Sequence, residues 1–459
     1  MLKVVNPATE QVIRELEEDT RDTLREKASA ARAAQPAWAA RPIAERVECA
    51  RRFGELLAAE RETLAATLTS EMGKPITQSR NELNAMAERI DFFVRRTEDA
   101  VADEVVLREE GMEERIAWEP LGVVANVSAW NYPWFVGSNV FLPALLTGNA
   151  VLYKPSELAT LTGLAIADLL HRSGVPRAVF ASIVGGGPVG KALLEEEIDG
   201  VFFTGSYATG RAIAEAVAGR LVRVQLELGG KDPAYVCDDV DVGAAAAAAA
   251  EGAFYNAGQS CCAVERVYVH RAVAAEFTGA FVEAVRGYAV GDPTDEGTYI
   301  GPLARRPQLD VVQDQVNDAL RRGAKLLLGG RPRAGTGWFY EPTVLAGATH
   351  EMKVMREESF GPVIGIMEVE DDDEAVRRMN DTEYGLTAAV YTPDRERAER
   401  VLRQVDAGTV YWNCCDRVSP RLPWTGRRHS GIGSTLGVLG IRAFVQPKAY
   451  HLNPSCGTG

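Results

Sequence analysis

The stretch Phe254-Tyr-Asn-Ala-Gly-Gln-Ser-Cys-Cys262 carries the residues best suited to chemistry in this chain. Its two adjacent thiols follow a small, flexible Gly-Gln-Ser segment, where a reactant can come close to the backbone. A thiolate is the strongest protein nucleophile near neutral pH, but a free thiol is only a few per cent ionised there. It therefore needs a base, donors for the oxyanion that its attack creates, and an acceptor for the electrons. Glu227-Leu-Gly-Gly230 places an acid at a strand end beside glycines, either a base that water can reach or a structural acid. Asn131, in Ala129-Trp-Asn-Tyr-Pro133, is an amide in an aromatic loop. It can cap a turn or hold an oxyanion, a role worth about 10²–10³ in rate where it applies.

Nucleotide-sized ligands need different features. Lys154-Pro-Ser-Glu157 stands at the carboxyl end of an apolar strand, where open α/β sheets bind ligands. The pair can hydrogen-bond two ribose hydroxyls, and Glu157 would repel a 2′-phosphate, which favours NAD over NADP. Gly205-Ser-Tyr-Ala-Thr-Gly210 joins a strand to a helix, with small residues and N-terminal amides suited to a pyrophosphate. Gly185-Gly-Gly-Pro-Val-Gly190 satisfies G-x-G-x-x-G but lacks the acid at the end of the next strand, so a tight turn is expected there. Glu357-Glu-Ser-Phe-Gly-Pro362 sets an acid two residues before an aromatic able to flank a nicotinamide.

The elements that must position these residues read as follows. Residues 20–100 are helical, expected to be a scaffold with solvated charges. Val101–Pro120 reads as a hairpin around Glu109-Glu-Gly111. From Leu121 apolar strands alternate with helices: 121–128, 150–154, 180–184, 200–204 and 222–228, then again from 233–237, with the alanine run 244–250 as a helix. Helices near 272–287 and 307–322, strands 325–328 and 385–391, and a terminal strand within 441–452 complete the reading. The fold class is α/β, with doubly wound parallel sheets.

Composition narrows the function. The 459 residues carry a net charge of −14, which repels nucleic acid and anionic membrane. No apolar run reaches the roughly 18 residues of a membrane span, and the N-terminus shows no signal or transit pattern, so a cytoplasmic protein is expected. The seven cysteines (Cys49, Cys237, Cys261, Cys262, Cys414, Cys415, Cys456) include no C-x-x-C, and the five histidines are scattered. Neither a disulfide framework nor a metal site is expected.

Taken together and in order, the Trp130-Asn-Tyr-Pro133, Lys154-Pro-Ser-Glu157, Phe203-Thr-Gly-Ser206, Glu227-Leu-Gly-Gly230, Gly258-Gln-Ser-Cys261 and Glu358-Ser-Phe-Gly-Pro362 motifs resemble the NAD(P)-dependent aldehyde dehydrogenase superfamily. The likeness runs from Asn6-Pro-Ala-Thr9 to Ser430-Gly-Ile-Gly433 and into the tail. It implies Cys261 as nucleophile, Glu227 as general base, and Asn131 with the Cys261 backbone N–H as oxyanion hole. It implies a cofactor site of Trp130, Lys154, Ser156, Glu157, Gly205, Ser206, Gly210, Leu228, Glu358 and Phe360. Cys261 would add to an aldehyde, hydride would pass to the cofactor, and water activated by Glu227 would hydrolyse the thioester. The presence of Glu227 favours hydrolysis over acyl transfer to coenzyme A.

The family's substrate funnel maps to Tyr132, Val136, Asn139, Ser260, Arg417, Val418 and Trp424. Arg417 or Arg421 would either pair with a substrate carboxylate, as in succinate semialdehyde, or form surface ion pairs. Tyr132 and Trp424 resemble the aromatic box for betaine-type aldehydes. General aliphatic or aromatic aldehydes, and a non-catalytic structural role, are the alternatives. The resemblance also implies an NAD-binding domain (1–102 and 121–229), a catalytic domain (230–436), and a β oligomerisation arm (103–120 with 437–459) that would build a homodimer or homotetramer.

Overall fold

The computed structural model describes residues 1–109 and 111–453; Glu110 of the expected hairpin tip, Cys456 and the end of the expected arm lie outside the described residues. Two mostly parallel sheets dominate. The first has six strands in the spatial order Gly431–Ile432, Arg223–Glu227, Gly200–Thr204, Val123–Val127, Ala150–Lys154, Phe180–Ser182. All its pairs are parallel except the short edge strand Gly431–Ile432. Its central strands are buried on both faces, which is why they read as unbroken apolar runs. The chain starts at Val123–Val127, runs outward through Ala150–Lys154 and Phe180–Ser182, then returns to build on the other side. The order reverses at Val123–Val127, and the crevice beyond the carboxyl ends there is where such sheets hold ligands.

The second sheet runs Lys325–Leu328, Thr343–Ala346, Val363–Val369, Val264–His270, Asp232–Val236, Thr387–Tyr391, Thr409–Trp412, antiparallel only at its Lys325 edge. A third sheet of three strands joins Val445–Leu452, Met112–Pro120 and Glu104–Glu109, so the expected hairpin pairs with the terminal strand. The terminal strand begins later than the alternation predicted. Gly437–Arg442 is a helix, with Ile441 and Phe444 buried in the core between Ile76–Ala100 and Pro133–Leu146. Leu2–Val5 and Val12–Leu16 form a small hairpin that the sequence reading passed over.

The N-terminal helices correct one expectation. Their charges are not all solvated: Glu71, Lys74, Glu82 and Arg89 are buried. Lys74 and Glu82 pair with each other, and the Glu71 carboxylate accepts from the Leu161 and Thr162 N–H groups at 2.8 and 2.7 Å. The helix Ile76–Ala100 buries Leu83, Met86, Ile90 and Phe93 at helical spacing, and on the neighbouring face, where it borders a cavity, Gln78, Glu82 and Arg89 are also buried. Among the described residues no helix is long and apolar enough to cross a membrane.

Candidate active site

The alanine-rich helix Val242–Phe254 is capped by Asp241, whose side chain accepts from the Ala244 N–H. Its small side chains let the helix pack closely in the core of the second sheet. The chain then turns through Asn256, Ala257 and Gly258, all left-handed at φ 53°, 55° and 71°. At Gly258 a Cβ would meet the Gly361 carbonyl oxygen at 2.4 Å, so only glycine fits. Left-handed Asn and Ala cost about 1–3 kcal/mol each and persist only where surroundings enforce them. Here the Asn256 N–H donates to Gln78 at 2.9 Å, its amide to the Asn131 and Gln259 carbonyls at 3.3 and 3.1 Å, and the Ala304 N–H to Gln259 at 2.9 Å. This turn delivers Cys261 to a fixed position.

Two cavities meet at that position. One, of about 900 Å³, lies beyond the carboxyl ends of the first sheet; the other, of about 570 Å³, lies on the opposite side of the thiol. Cys261 and Glu227 line both, and Asn131 lines the first. Glu227 ends the strand Arg223–Glu227 and is held from two sides: its backbone pairs with Gly431, and its carboxylate accepts from the Trp424 indole N–H at 3.0 Å. Burial raises its pKa, against hydrogen bonds from Trp424, Cys261 and Thr204 that favour the charged form. The Asn131 amide, in the loop after Val123–Val127, donates to the Gln259 carbonyl at 3.2 Å, which ties it to the cysteine loop.

The two thiols differ. The neighbouring Cys262 thiol favours the Cys261 thiolate, but burial and the Glu227 carboxylate outweigh it and push Cys261 up to about 12. Cys261 thus rests as a thiol with a carboxylate in reach. Cys262 is buried and donates to Asp416 at 2.9 Å, and the Ser260 hydroxyl donates to the same carboxylate oxygen at 3.0 Å. Asp416 was not singled out in the sequence. The only hint was an acid following Cys414-Cys415.

The larger cavity gathers nine of the ten expected cofactor residues: Trp130, Lys154, Ser156, Glu157, Gly205, Ser206, Leu228, Glu358 and Phe360. Gly210 does not line it; an added Cβ there would meet the Leu228 side chain at 2.5 Å, so its smallness serves packing. Ser206 caps the helix Tyr207–Val217 by accepting from the Thr209 N–H, and Gly205, Ser206 and Thr209 line the cavity at this helix N-terminus, where a phosphate is favoured. Lys154 is buried at its strand end, and burial lowers its pKa. Phe360, left-handed at φ 45°, meets Trp130 edge-on at 5.5 Å. Gly187 and Gly190 also line this cavity, so the G-x-G-x-x-G turn contributes small residues to the wall although it lacks the standard fingerprint's acid. These residues fit a dinucleotide: a lysine–glutamate pair for ribose, helix amides for pyrophosphate, an aromatic for the ring.

What holds Phe360 was missed in the sequence. Glu265 accepts from the Ser359 and Phe360 N–H groups and from Lys231 at 2.6 Å, and Lys231 also donates to the Ser359 hydroxyl at 2.9 Å. Lys231, Glu265 and Ser359 are buried, and the charged residues of this strand and loop were the available signal.

The smaller cavity gathers all seven expected substrate residues: Tyr132, Val136, Asn139, Ser260, Arg417, Val418 and Trp424. Tyr132, Phe135, Val136 and Asn139 lie on one face of the start of Pro133–Leu146. Opposite them the helix Ile76–Ala100 presents Gln78, Asn81, Glu82, Ala85, Glu88 and Arg89, at three- and four-residue steps. Arg421 lies outside this lining and pairs with Glu88 at 2.6 Å on the surface. Arg417 is exposed at the wall, with no ion pair among the described residues.

Comparison with known proteins agrees with this geometry. Residues 1–450 match the aldehyde dehydrogenase family profile. A Mycolicibacterium smegmatis protein provisionally named succinate-semialdehyde dehydrogenase (NADP+) is 39% identical over 439 residues, covering 93% of this chain and 85% of its own. The crystal structure of an NAD-dependent aldehyde dehydrogenase from Sinorhizobium meliloti has 33% identity and a TM-score of 0.96, covering 100% of this chain and 92% of its own. Betaine aldehyde dehydrogenase from Staphylococcus aureus, in complex with NAD+, has 31% identity and a TM-score of 0.94, covering 98% and 91%. With its thiol between a dinucleotide-sized cavity and a smaller pocket, this chain belongs to the aldehyde dehydrogenase family and oxidises aldehydes with NAD(P).

Proposed function

We propose that the chain oxidises an anionic semialdehyde, such as succinate semialdehyde, to the acid, with Cys261 as nucleophile. The observation that carries the mechanism is that Cys261 and Glu227 stand where the two cavities join. The aldehyde enters the smaller cavity. As the Cys261 sulfur adds to its carbonyl carbon, Glu227 takes the thiol proton, which the raised thiol pKa requires. The Asn131 amide and the Cys261 N–H hold the oxyanion. Held by Lys154, Glu157, Ser206 and Phe360 in the larger cavity, a nicotinamide cofactor would supply the hydride acceptor. Once the carbon has lost hydride, Cys261 carries a thioester; Glu227 gives up the thiol's proton to solvent, then deprotonates the water that hydrolyses the thioester and returns that proton to the departing Cys261 sulfur. The carboxylic acid leaves and the thiol is restored.

The substrate class is supported by the name of the M. smegmatis relative and by Arg89 and Arg417 in the wall of the smaller cavity. That wall also holds Glu82, Glu88, Glu251 and Asp416, of which Glu82 is paired with Lys74 and Glu88 with Arg421. The aromatic-box alternative is weakened by what surrounds Tyr132: the Lys74 ammonium already lies 3.7 Å over its ring, Phe135 stacks parallel to it, and the Trp424 N–H is engaged by Glu227. We also propose NAD as the preferred cofactor, because Glu157 stands beside Lys154 in the larger cavity. The division into an NAD-binding domain (1–102 and 121–229), a catalytic domain (230–436) and a β arm (103–120 with 437–459) is part of the same reading. So is a cytoplasmic homodimer or homotetramer built through the arm, supported by exposed Val105, Val106 and Leu452 on its two edge strands.

The test is nicotinamide absorbance with NAD and NADP against succinate semialdehyde, a betaine-type aldehyde, benzaldehyde and short alkanals, beside a Cys261→Ala control. Turnover led by succinate semialdehyde and lost in the control is expected. A different leading aldehyde overturns the substrate class, and turnover surviving in Cys261→Ala overturns the nucleophile.

A further inference from the structure

We propose that Arg89 is the residue that reads the substrate's carboxylate, so that the helix Ile76–Ala100 sets specificity for aldehydes with an anionic tail. The inference rests on the reading that an anionic semialdehyde enters the smaller cavity. The charged residues that line this cavity from the helix have different fates. Glu82 is committed to Lys74 and to the Trp134 N–H, and Glu88 to Arg421. Arg89 is 3% exposed, its Nε has no partner, and no hydrogen bond or ion pair from its guanidinium occurs among the described residues. Breaking or omitting the partner of a buried charge is strongly destabilising, so a protein that keeps one unpaired beside a cavity has a reason outside its own fold.

The geometry suits a carboxylate. The Arg89 guanidinium carbon lies 4.1 Å over the centroid of Phe135, which stacks in turn on Tyr132 at 5.9 Å. The contact with the ring uses no N–H donor, so the guanidinium keeps its donors for a carboxylate, which it can pair with in two parallel hydrogen bonds. Asn139, one helical turn beyond Phe135, is buried and lines the same cavity, and only its amide nitrogen can donate to a carboxylate. Its amide is a second polar group on that wall. Burial pulls the guanidinium down to about 10, partly offset by Glu82 and Glu88, so it stays charged at neutral pH. Arg417, by contrast, is exposed, where water screens a charge that a buried site would feel strongly.

The test compares wild type, Arg89→Met and Arg89→Lys on succinate semialdehyde and on butanal, its uncharged counterpart of equal carbon count. Succinate is added as a competitor of butanal oxidation, and circular dichroism checks the fold. Arg89→Met should lower the ratio of kcat/KM for succinate semialdehyde to butanal about a hundredfold, mainly through KM, and abolish inhibition by succinate. Arg89→Lys keeps a charge in the wall without the planar fork and should lower the ratio about tenfold. Equal losses on both aldehydes in both variants would make Arg89 structural and overturn the proposal. A wild type with no preference for succinate semialdehyde overturns the substrate class beneath it. A preference that survives in Arg89→Met but falls in Arg417→Gln overturns Arg89 alone.

Discussion

The Trp424 indole N–H reaches Oε1 of Glu227 at 3.0 Å, across 197 residues of sequence. The segment that carries Trp424 folds back over the end of the Glu227 strand: Trp424 and Thr435 bridge each other's backbones, the Leu228 N–H donates to the Ser430 carbonyl, and Gly431 pairs with Glu227. Both the strand and the indole therefore orient the carboxylate. A residue expected to contact substrate acts on the base as well as lining the cavity.

Trp424→Phe keeps the ring and removes the donor. A hydrogen bond to a charged group is worth about 1.5–3 kcal/mol, so the hydrolytic step should slow about tenfold or more. A pre-steady-state burst of reduced nicotinamide should persist while steady-state turnover falls. The bond holds the Glu227 pKa down, so its loss raises that pKa, and the rising limb of kcat must move to higher pH. An unmoved limb with a normal steady state would show that the bond is incidental.

Much of this was legible in the sequence because it is local. Gly258 to Cys261, Lys154 to Glu157 and Glu227 to Gly230 are short runs whose positions follow from strand ends and turns. The strands Glu104–Glu109 and Met112–Pro120 were legible as apolar runs. What escaped is long-range: Glu265 on the Ser359 and Phe360 amides, Asp416 on Cys262, and Trp424 on Glu227. Charged residues in the N-terminal helices read as solvated because burial of Lys74, Glu82 and Arg89 depends on the helix they pack against. Periodicity alone shows a stripe, not which neighbour covers it.

Glu157 lines the larger cavity beside Lys154, with Lys191 on the same wall. If its charge excludes a 2′-phosphate, Glu157→Gln should raise kcat/KM for NADP about tenfold and lower that for NAD severalfold, since a neutral amide keeps hydrogen bonding without repulsion. The ratio of the two values is the measurement. A ratio that does not move assigns cofactor choice elsewhere.

Glu265 is buried with Lys231, and it anchors the strained Phe360. Glu265→Gln leaves Lys231 as an uncompensated buried charge, a change that typically costs about 3–5 kcal/mol. The urea midpoint should fall accordingly. Because the Ser359 and Phe360 amides also lose a charged acceptor, KM for NAD should rise more than KM for the aldehyde. Parallel rises in both would argue that the network supports the fold without favouring the cofactor side.

Asp232 opens the strand Asp232–Val236 of the second sheet at 3% exposure, accepting from the Thr387 hydroxyl at 2.5 Å. Burial pushes its carboxyl up to about 8, against the Thr387 hydrogen bonds. The unfolded chain holds such a group near the ordinary value of about 4, so between about pH 4 and pH 8 the native state binds the extra proton. Stability from this group is complete below the unfolded value and is lost as pH rises toward 8. Asp232→Asn stays neutral and can still accept from Thr387, so it should be more stable than wild type at pH 8, by about 2 kcal/mol or more, and show a flatter profile. Glu71, raised to about 7, and Glu358, raised to about 8, act in the same direction and keep some slope. Urea midpoints of the two proteins from pH 5 to pH 8 decide it: curves that run parallel would mean that Asp232 is ionised in the native fold and owes its place to a charge partner instead.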